Sequence, residues 1–427
     1  SGMVEESFTA IPIPPSPVAE LPAGMEDGVN YVDGSTVVLS LYAPLKQFAF
    51  AAGDFNGWEA DEDSYMNKTP DGNRFWIQID GLNPGEAYAY QYFVDGTIAI
   101  SDPYAELVLD PWNDQYIPEE NFPDLKPYPG GQEGLVAVLQ TNQEDYAWQN
   151  NDFEPPAVTY LVVYELLIRD FLQNQNYQTL IDTLGYLKRL GVNAIELMPV
   201  NEFDGNLSWG YNPNHFFAVD KMYGTKNDLK EFVDICHGHG IAVILDVVYN
   251  HATDLSPYVK LYRDPVSNSP SPESPYYNVE PTHDFNVFND MNHESPDSRA
   301  YISRAVKYWL EEFHVDGYRF DLSKGFTQKV TIGNPSAMAQ YDQDRVDILT
   351  AYADSAWSVN PKAYVILEHF ADNDEEKVLS DYGCMLWGNL NYNYNEGTMA
   401  YNEGGKSDFS WISYQKRGWE DPHVMGY

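Results

Sequence analysis

The chain has 427 residues, of which 43% are hydrophobic, and its 65 acidic against 24 basic side chains give a formal net charge of −41. The length predicts two or more domains, and the acidic excess excludes nucleic acid as a partner, because nucleic-acid binding needs a basic patch. No apolar run approaches the roughly 18 residues of a membrane-spanning helix, so we predict no membrane insertion.

The cysteine and aromatic residues lead to two further expectations. Cys236 and Cys384 are the only cysteines, and their amphipathic and apolar surroundings favour buried thiols over a disulfide. Aromatic residues make up 15% of the chain. This content fits either an aromatic-rich core or sugar binding, because pyranose rings have apolar faces that pack on flat side chains. Both interpretations stay open at this point.

The first part of the chain carries a β pattern. Residues 1–27 form a Pro-rich leader that includes Ile11-Pro-Ile-Pro-Pro-Ser-Pro-Val18 and has no core of its own. Residues 28–127 are predicted to form short, half-buried strands, which at this spacing indicate an all-β, immunoglobulin-like sandwich of the carbohydrate-binding kind. Residues 128–157 are rich in Gly, Pro, Asn and Gln and are interpreted as a linker. The predicted strands are Thr36–Tyr42, Phe48–Phe50, Phe75–Ile79 and Ala87–Val94.

Residues 158–427 follow a different rhythm, in which apolar runs alternate with amphipathic helical stretches. This alternation predicts βα units and a parallel sheet, and so an α/β fold of the (β/α)8 or TIM-barrel type. Residues 252–297 break the alternation and are predicted to be a loop insertion over one end of the barrel. The predicted strands are Tyr160–Tyr164, Ala194–Met198, Ile241–Asp246, Val315–Asp321 and Ala363–Glu368. The predicted helices are Tyr177–Leu190, Asp228–His237, Ser298–Phe313 and Asp344–Val359.

The number of strands falls short of a closed barrel. A sixth strand is expected near 384–390 and a seventh near 423–427, with no room for an eighth. Proteins avoid leaving such sheet edges exposed. We therefore expect the C-terminal part of the barrel to be missing and the chain to be part of a longer protein.

Three acidic residues end predicted buried strands. They are Asp246, Asp321 and Glu368. Burying a carboxylate without a partner is costly, so their place in apolar strands indicates a function. In a (β/α)8 barrel the catalytic groups lie at the carboxyl ends of the strands, and a pair of carboxylates is the machinery of glycoside hydrolysis.

The neighbours of two of these acids suggest how they are tuned. Arg319 lies two residues before Asp321, on the same face of the strand, and is expected to keep Asp321 ionised. Glu368 follows Val365, Ile366 and Leu367, and this apolar setting is expected to raise its pKa so that it arrives protonated. A purely structural ion pair and a strand-ending glutamate would explain either acid taken singly.

Five motifs in order resemble those of the α-amylase superfamily over residues 158–427. They are Gly191-Val-Asn-Ala-Ile-Glu-Leu-Met-Pro-Val200, Trp209-Gly-Tyr-Asn-Pro213, Asp246-Val-Val-Tyr-Asn-His251, Gly317-Tyr-Arg-Phe-Asp321 and the strand that ends at Glu368. Each motif alone is weak, but each lies where the alternation places a strand end or the loop that follows one. In the first domain, Gly53-Asp-Phe-Asn-Gly-Trp58 is similar to the N-terminal sandwich of branching enzymes.

The resemblance implies a retaining mechanism in which Asp321 is the nucleophile and Glu368 the general acid/base. It implies substrate binding by five further residues: Tyr211, Asp246, His251, Arg319 and Lys324. No cofactor is required, although Asn250 matches a position that binds structural calcium in many members. The histidine that follows the lysine in many members, and that also contacts calcium, is replaced here by Gly325.

The family's fourth motif, a His-Asp pair after the seventh strand, is not found before Tyr427. We therefore expect residues 1–427 by themselves not to hydrolyse glucan. For the complete protein, the expected function is retaining hydrolysis of α-1,4-glucan in starch- or glycogen-type polysaccharides, which are its expected partners. Two alternatives are a 1,4-α-glucan branching enzyme and a non-catalytic glucan-binding protein.

Overall fold

The computed structural model describes residues 15–427, so most of the predicted leader lies outside the described residues. The chain forms two compact units, one from residues 15–102 with 136–143 and one from 103–135 with 144–427. Between residues 15 and 427, no helix has both the length and the apolar character needed to cross a membrane.

The first unit consists of antiparallel strands in two sheets. One sheet has the order β1-β2-β5-β4, and in the other β6 pairs with β3, β7 and β9. The all-β content is as predicted, while the packing of the two sheets as a sandwich stays a prediction. The strands are β1 (Gly28–Tyr31), β2 (Val37–Tyr42), β3 (Ala49–Gly53), β4 (Asn67–Lys68), β5 (Arg74–Ile79), β6 (Ala87–Val94), β7 (Ile98–Ile100) and β9 (Val136–Gln140), while β8 (Val108–Leu109) belongs to the second unit.

The predicted linker is interrupted by one of these strands. Strand β9 lies inside residues 128–157 and pairs with the first half of β6. Its residues Val136–Leu139 are buried. The physical reason is local, because this short apolar run buries itself in a sheet although Gly, Pro and polar residues surround it. The interpretation of residues 128–157 as a linker is therefore wrong for β9.

The second unit contains a curled sheet of seven parallel strands in chain order. Each strand pairs in parallel register with the next, and a strand lies at or near each of the seven predicted positions. The first begins at Val163 rather than at the predicted Tyr160, which belongs to a short 3-10 turn. The strands are β10 (Val163–Leu166), β11 (Ala194–Leu197), β12 (Ala242–Val247), β15 (Gly317–Phe320), β16 (Tyr364–Leu367), β17 (Met385–Gly388) and β18 (Val424–Gly426). A parallel sheet in this order places all carboxyl ends at one edge, where loops carry functional groups.

Helices connect these strands. They are α1 (Ile168–Phe171), α2 (Tyr177–Ile181), α3 (Leu184–Arg189), α4 (Lys226–Gly238), α5 (Pro257–Leu261), α6 (Pro296–Phe313), α7 (Pro335–Met338), α8 (Gln343–Val359), α9 (Asn373–Tyr382), α10 (Asn391–Thr398) and α11 (Tyr414–Arg417). The helix predicted over Tyr177–Leu190 is divided into α2 and α3. At the break, the Thr183 hydroxyl donates to the Leu180 carbonyl at 2.7 Å, a local bond that competes with continued helix.

The predicted loop insertion is tied at its ends by a short hairpin. Strand β13 (His251–Ala252) pairs antiparallel with β14 (Asn289–Asp290). The Asn289 amide also donates to the Ala252 carbonyl at 3.0 Å. The start and the end of the insertion are therefore fixed next to the carboxyl end of β12, from which β13 follows directly.

Register across the curled sheet gathers polar residues on one face. Glu165 on β10 pairs with Glu196 on β11, and Asp246 on β12 pairs with Arg319 on β15. Residues two apart on a strand share a face, so Asp321 follows Arg319 on the same side. An apolar core lies on the sheet as well, formed by Ala194, Ala242, Ile244, Tyr364, Ile366, Met385 and Trp387.

Gly317 is required where β15 meets β16. Its φ is 155°, and a Cβ there would lie 2.2 Å from the Tyr364 carbonyl oxygen. Replacing Gly317 with Ala is expected to lower the free energy of unfolding by about 3 kcal/mol, because the two backbones must separate. Chemical denaturation measures this change. Gly185→Ala in α3 is the control, since a Cβ there would lie 3.6 Å from Arg189 Nη1, an ordinary contact, and equal losses in the two variants would contradict the prediction.

Candidate active site

The guanidinium of Arg319 bridges the three predicted acids. Its Nη1 donates to Asp246 Oδ1 at 2.7 Å and to Asp321 Oδ1 at 2.9 Å, and its Nη2 lies 2.9 Å from Glu368 Oε2. The Arg319 and Asp246 side chains are 4% and 0% exposed, whereas those of Asp321 and Glu368 are 18% and 22% exposed. The two predicted catalytic acids are thus brought together and reach solvent, while Arg319 and Asp246 lie beneath them.

Two more predicted residues join this group. The Tyr211 hydroxyl donates to Asp246 Oδ2 at 2.6 Å. The His251 ring bonds the Tyr211 carbonyl through Nε2 at 2.8 Å, and burial lowers the pKa of His251. His251 is therefore held neutral next to the backbone that carries Tyr211. Asp246 contacts both Tyr211 and Arg319, which fits its predicted role of orienting a sugar-binding shell.

The carboxylate of Glu368 is held by the turn after β15. The Leu322 N–H donates to Glu368 Oε2 at 3.0 Å, the same oxygen that faces Arg319. Leu322 adopts a φ of 41°, which is uncommon for a residue other than glycine. Such a backbone conformation costs about 1–3 kcal/mol and is found at functional sites. Glu368 Oε1 receives neither of these two bonds.

The charge state of Asp321 differs from the expectation. Its pKa is raised to about 8, because burial and the nearby Asp246 carboxylate outweigh the attraction of Arg319. Arg319 therefore does not hold the pKa of Asp321 low, because one guanidinium faces Asp246, Asp321 and Glu368 together. Retaining hydrolysis requires an ionised nucleophile, so this proton must leave Asp321 before the attack.

Two carboxylates of this group were not assigned a role from the sequence. Glu165 and Glu196 place oxygens within 4.8 Å of one another and of Asp246. Glu196 is buried, its Oε1 has no hydrogen-bond partner, and burial raises its pKa. Burial together with the Glu165 charge also raises the pKa of Asp246, to about 6. The signal that could have found Glu196 was a single acid inside the apolar strand Ala194–Leu197.

An aromatic residue also contacts the guanidinium. The Arg319 Cζ lies 4.4 Å from the ring centroid of Trp387 on β17, and the Trp387 ring lies 4.3 Å from that of Tyr427. Contact of Arg with the face of Trp is favourable, more so when the pair is shielded from water. A cavity of about 440 Å³ is lined by Glu165, Glu196, Trp387 and the strand β18. This cavity reaches Glu165 and Glu196 from the side of β10 and β18, the two edge strands of the curled sheet.

Lys324 and Asn250 flank the two predicted catalytic acids. The Lys324 amine lies 5.2 Å from the Phe285 ring centroid, and burial lowers its pKa, opposed by Glu368. The Asn250 amide donates to the Asp321 carbonyl. Its Oδ1 is buried without a hydrogen-bond partner. Both residues therefore lie where substrate-binding or structural groups were expected.

The calcium expectation can be tested on the groups around Asn250. A Cβ at Gly325 would lie 2.8 Å from both Asn250 Oδ1 and His283 Nε2, so the amide oxygen faces an imidazole across this glycine. Calcium takes about six to eight oxygen ligands. One amide oxygen and one imidazole do not fit that requirement and suit a water molecule better, so no step is assigned to a metal here.

Comparisons with known proteins agree with this geometry. Residues 173–287 match the family model of the alpha amylase catalytic domain. A malto-oligosyltrehalose trehalohydrolase of Saccharolobus solfataricus is 31% identical over 259 residues, which cover 60% of this chain and 40% of that protein. A 1,4-alpha-glucan branching enzyme of Desulfitobacterium hafniense is 28% identical over 296 residues, which cover 66% and 42%. Within residues 173–287, the chain is thus similar to the alpha amylase catalytic domain.

A solved structure gives the same result for the fold. Pullulanase type I from Bacillus subtilis, complexed with maltose, matches with a TM-score of 0.64 and 22% sequence identity, covering 86% of this chain and 51% of that chain. In the two sequence comparisons, the matched part spans about two fifths of the relative's length. The family's catalytic domain implies the (β/α)8 barrel, of which the described residues form a curled sheet of seven strands.

Proposed function

We propose that this protein is a retaining hydrolase of α-1,4-glucan in starch- or glycogen-type polysaccharides. The observation that carries the proposal is the single guanidinium that holds both Asp321 and Glu368 at the carboxyl ends of adjacent strands. Two carboxyl groups, one nucleophilic and one able to donate a proton, are what retaining hydrolysis requires. The proposal includes an eighth strand that closes the barrel.

The reaction proceeds in two displacements. An Asp321 oxygen attacks the anomeric carbon while the glycosidic bond breaks and Glu368 gives its proton to the leaving oxygen, which forms a covalent glycosyl-enzyme. Glu368, now ionised, takes a proton from water, and the hydroxide attacks the same carbon and releases Asp321. The turn that binds Glu368 Oε2 leaves Oε1 to exchange the proton. Tyr211 stacks under the sugar that is attacked, His251 bonds one of its hydroxyls, and Lys324 also binds substrate.

A branching enzyme is the second candidate, in which a sugar hydroxyl replaces water as the acceptor. It is favoured by the Gly53-Asp-Phe-Asn-Gly-Trp58 motif and by the relative of that activity. Incubation of the full-length protein with amylose separates the two functions. Hydrolysis raises the number of reducing ends, whereas branching forms α-1,6 linkages visible by proton NMR with few new reducing ends. Binding to amylose without either product would indicate a non-catalytic glucan-binding protein.

Glu368→Gln tests the role of the acid/base in the full-length protein. It is expected to slow cleavage of maltooligosaccharides by about 10²–10⁴-fold, the contribution of general acid–base catalysis. Aryl maltosides with good leaving groups should form the glycosyl-enzyme at nearly the normal rate, because their departure needs little protonation. Stopped-flow measurement of aryl alcohol release checks this, with Glu376→Gln on α9 as the control. Equal losses on both substrate classes would mean a structural role for Glu368.

A further inference from the structure

Four buried polar side chains form a continuous chain behind Glu368. The Arg345 guanidinium binds Glu375 through Nε at 2.6 Å and Nη2 at 2.8 Å, and Glu375 Oε1 lies 2.7 Å from His369 Nε2. His369 Nδ1 lies 3.0 Å from the Ser323 hydroxyl. We call this set, Ser323, His369, Glu375 and Arg345, the Ser323–Arg345 chain. It leads from α8 and α9 to the loops that follow β15 and β16.

The Ser323–Arg345 chain is well satisfied by its hydrogen bonds. Its four residues are 0% to 1% exposed. Arg345 also donates to the carbonyls of Lys324, Met338 and Gln340, each at 3.0 Å. Buried polar groups are costly unless each is paired, and a fully paired network is rigid. The carboxylate of Glu375 favours the His369 proton on Nε2. The single hydroxyl proton of Ser323 can then go either to His369 Nδ1 or to the Glu368 carbonyl.

The chain ends on the residue proposed as the general acid. The Ser323 N–H donates to the Glu368 carbonyl at 3.0 Å, and the Ser323 hydroxyl lies 3.1 Å from the same oxygen. The preceding residue, Leu322, donates to the Glu368 carboxylate. The turn Leu322–Ser323 therefore contacts Glu368 at both its backbone and its side chain. Any shift of Ser323 moves the Leu322 N–H that orients the carboxylate.

We propose that the Ser323–Arg345 chain positions Glu368 for proton transfer. Its members act through Glu368 and are positioning residues, because none contacts the reacting atoms. The inference rests on the proposed function. A positioning role differs from a purely structural role in one respect. Displacement of Glu368 should impair departure of a leaving group that needs its proton and should spare departure of one that does not.

Ser323→Ala and His369→Gln in the full-length protein test this. With maltooligosaccharides, whose leaving group needs a proton, kcat is expected to fall about 100-fold with little change in KM, the effect of about a 1 Å misplacement. With α-maltosyl fluoride, the fluoride leaves without a proton, so the pre-steady-state rate of fluoride release, which reports formation of the glycosyl-enzyme alone, should change by less than about 3-fold. Equal losses on both substrates, or no loss on either, would overturn the proposal.

Matched controls separate positioning from loss of packing. Ser380 in α9 is as buried as Ser323, but its hydroxyl has no hydrogen-bond partner. His293 is as buried as His369, but its ring bonds the Tyr352 hydroxyl at 2.8 Å and the Tyr249 carbonyl at 2.9 Å. Ser380→Ala and His293→Gln should leave the ratio of the two substrate rates unchanged. A shift of that ratio in the controls would contradict positioning by the Ser323–Arg345 chain.

A second measurement does not depend on catalysis. If the unaltered protein cleaves neither substrate, the proposed function fails, and crystal structures of this protein and of Ser323→Ala then decide on the chain alone. The inference expects the bond from Leu322 N to Glu368 Oε2 to be present without the substitution and lost or displaced in Ser323→Ala. An unchanged Glu368 carboxylate in the variant would refute the positioning role.

Discussion

Asp321→Asn in the full-length protein is expected to reduce turnover of amylose by about 10⁵-fold, the scale of rate lost when a catalytic nucleophile is removed. The amide cannot form the covalent glycosyl-enzyme, while Arg319, Asp246 and Tyr211 remain to bind sugar. Reducing-sugar release measures turnover, and calorimetry measures oligosaccharide binding. Near-normal turnover in this variant would contradict the assignment of Asp321.

The same substitution is expected to stabilise the protein. In the folded state the pKa of Asp321 is raised to about 8, against about 3.9 in the unfolded chain. The folded state therefore holds a proton that the unfolded state has lost, and stability falls as pH rises between these two values. Asparagine cannot ionise, so the advantage of Asp321→Asn should be small near pH 4 and largest at pH 8.

Melting temperatures of both proteins from pH 4 to pH 8 check the sign of this effect. Asp182→Asn is the control, because Asp182 is exposed in the turn between α2 and α3. A melting temperature of Asp321→Asn that falls below the unaltered protein as pH rises would show that Arg319 keeps Asp321 ionised after all.

Arg319→Met is expected to lower the free energy of unfolding by about 3–5 kcal/mol at pH 7, the cost of leaving a buried charge without its partner. The charge in question is chiefly Asp246, whose side chain is 0% exposed and accepts from Arg319 at 2.7 Å. Arg319→Lys keeps the charge but loses the planar fork that reaches Asp246, Asp321 and Glu368 together, so its loss should be smaller but still evident.

A double-mutant cycle and a pH series test the cause of this loss. Arg319→Met with Asp246→Asn should be more stable than Arg319→Met alone, because no unpaired charge remains at that position. The penalty in Arg319→Met should also shrink as pH falls toward about 3.9, where unfolded aspartates take up protons too. Urea unfolding at pH 5 and pH 7 measures both. A penalty independent of pH and of Asp246 would indicate lost packing against Trp387 instead.

The parallel sheet could be predicted from the sequence because its signals are local. Apolar runs such as Ile241–Asp246 can be recognised whether or not the rest of the fold is known. All seven predicted strands are present in the predicted order, although the first starts at Val163 rather than Tyr160. The strand Val136–Gln140 was missed because its Gly- and Pro-rich flanks dominated the interpretation of residues 128–157.

The charge balance of the site could not be predicted in the same way. Arg319 and Asp321 are neighbours in sequence, so an ion pair was the natural expectation. The raised pKa of Asp321 depends on Asp246 and Glu368, and the acidic group extends to Glu165 and Glu196, which come from other strands. The Ser323–Arg345 chain could not be predicted either. Ser323, Arg345 and His369 lie after β15, in α8 and after β16, and they meet only in the folded structure.

The hairpin of β13 and β14 fixes both ends of the segment between them. Its two ends are already joined by backbone pairing and by the Asn289 amide, so changing the length of the intervening loop costs little, since closure entropy grows only slowly with length. His251 itself pairs with Asp290 in this hairpin. The segment from 253 to 288 also contacts the candidate site, because Phe285 lies against Lys324 and His283 faces Asn250 across Gly325. A change of sequence in this loop can therefore reach Lys324 and Asn250 while its two ends stay where they are.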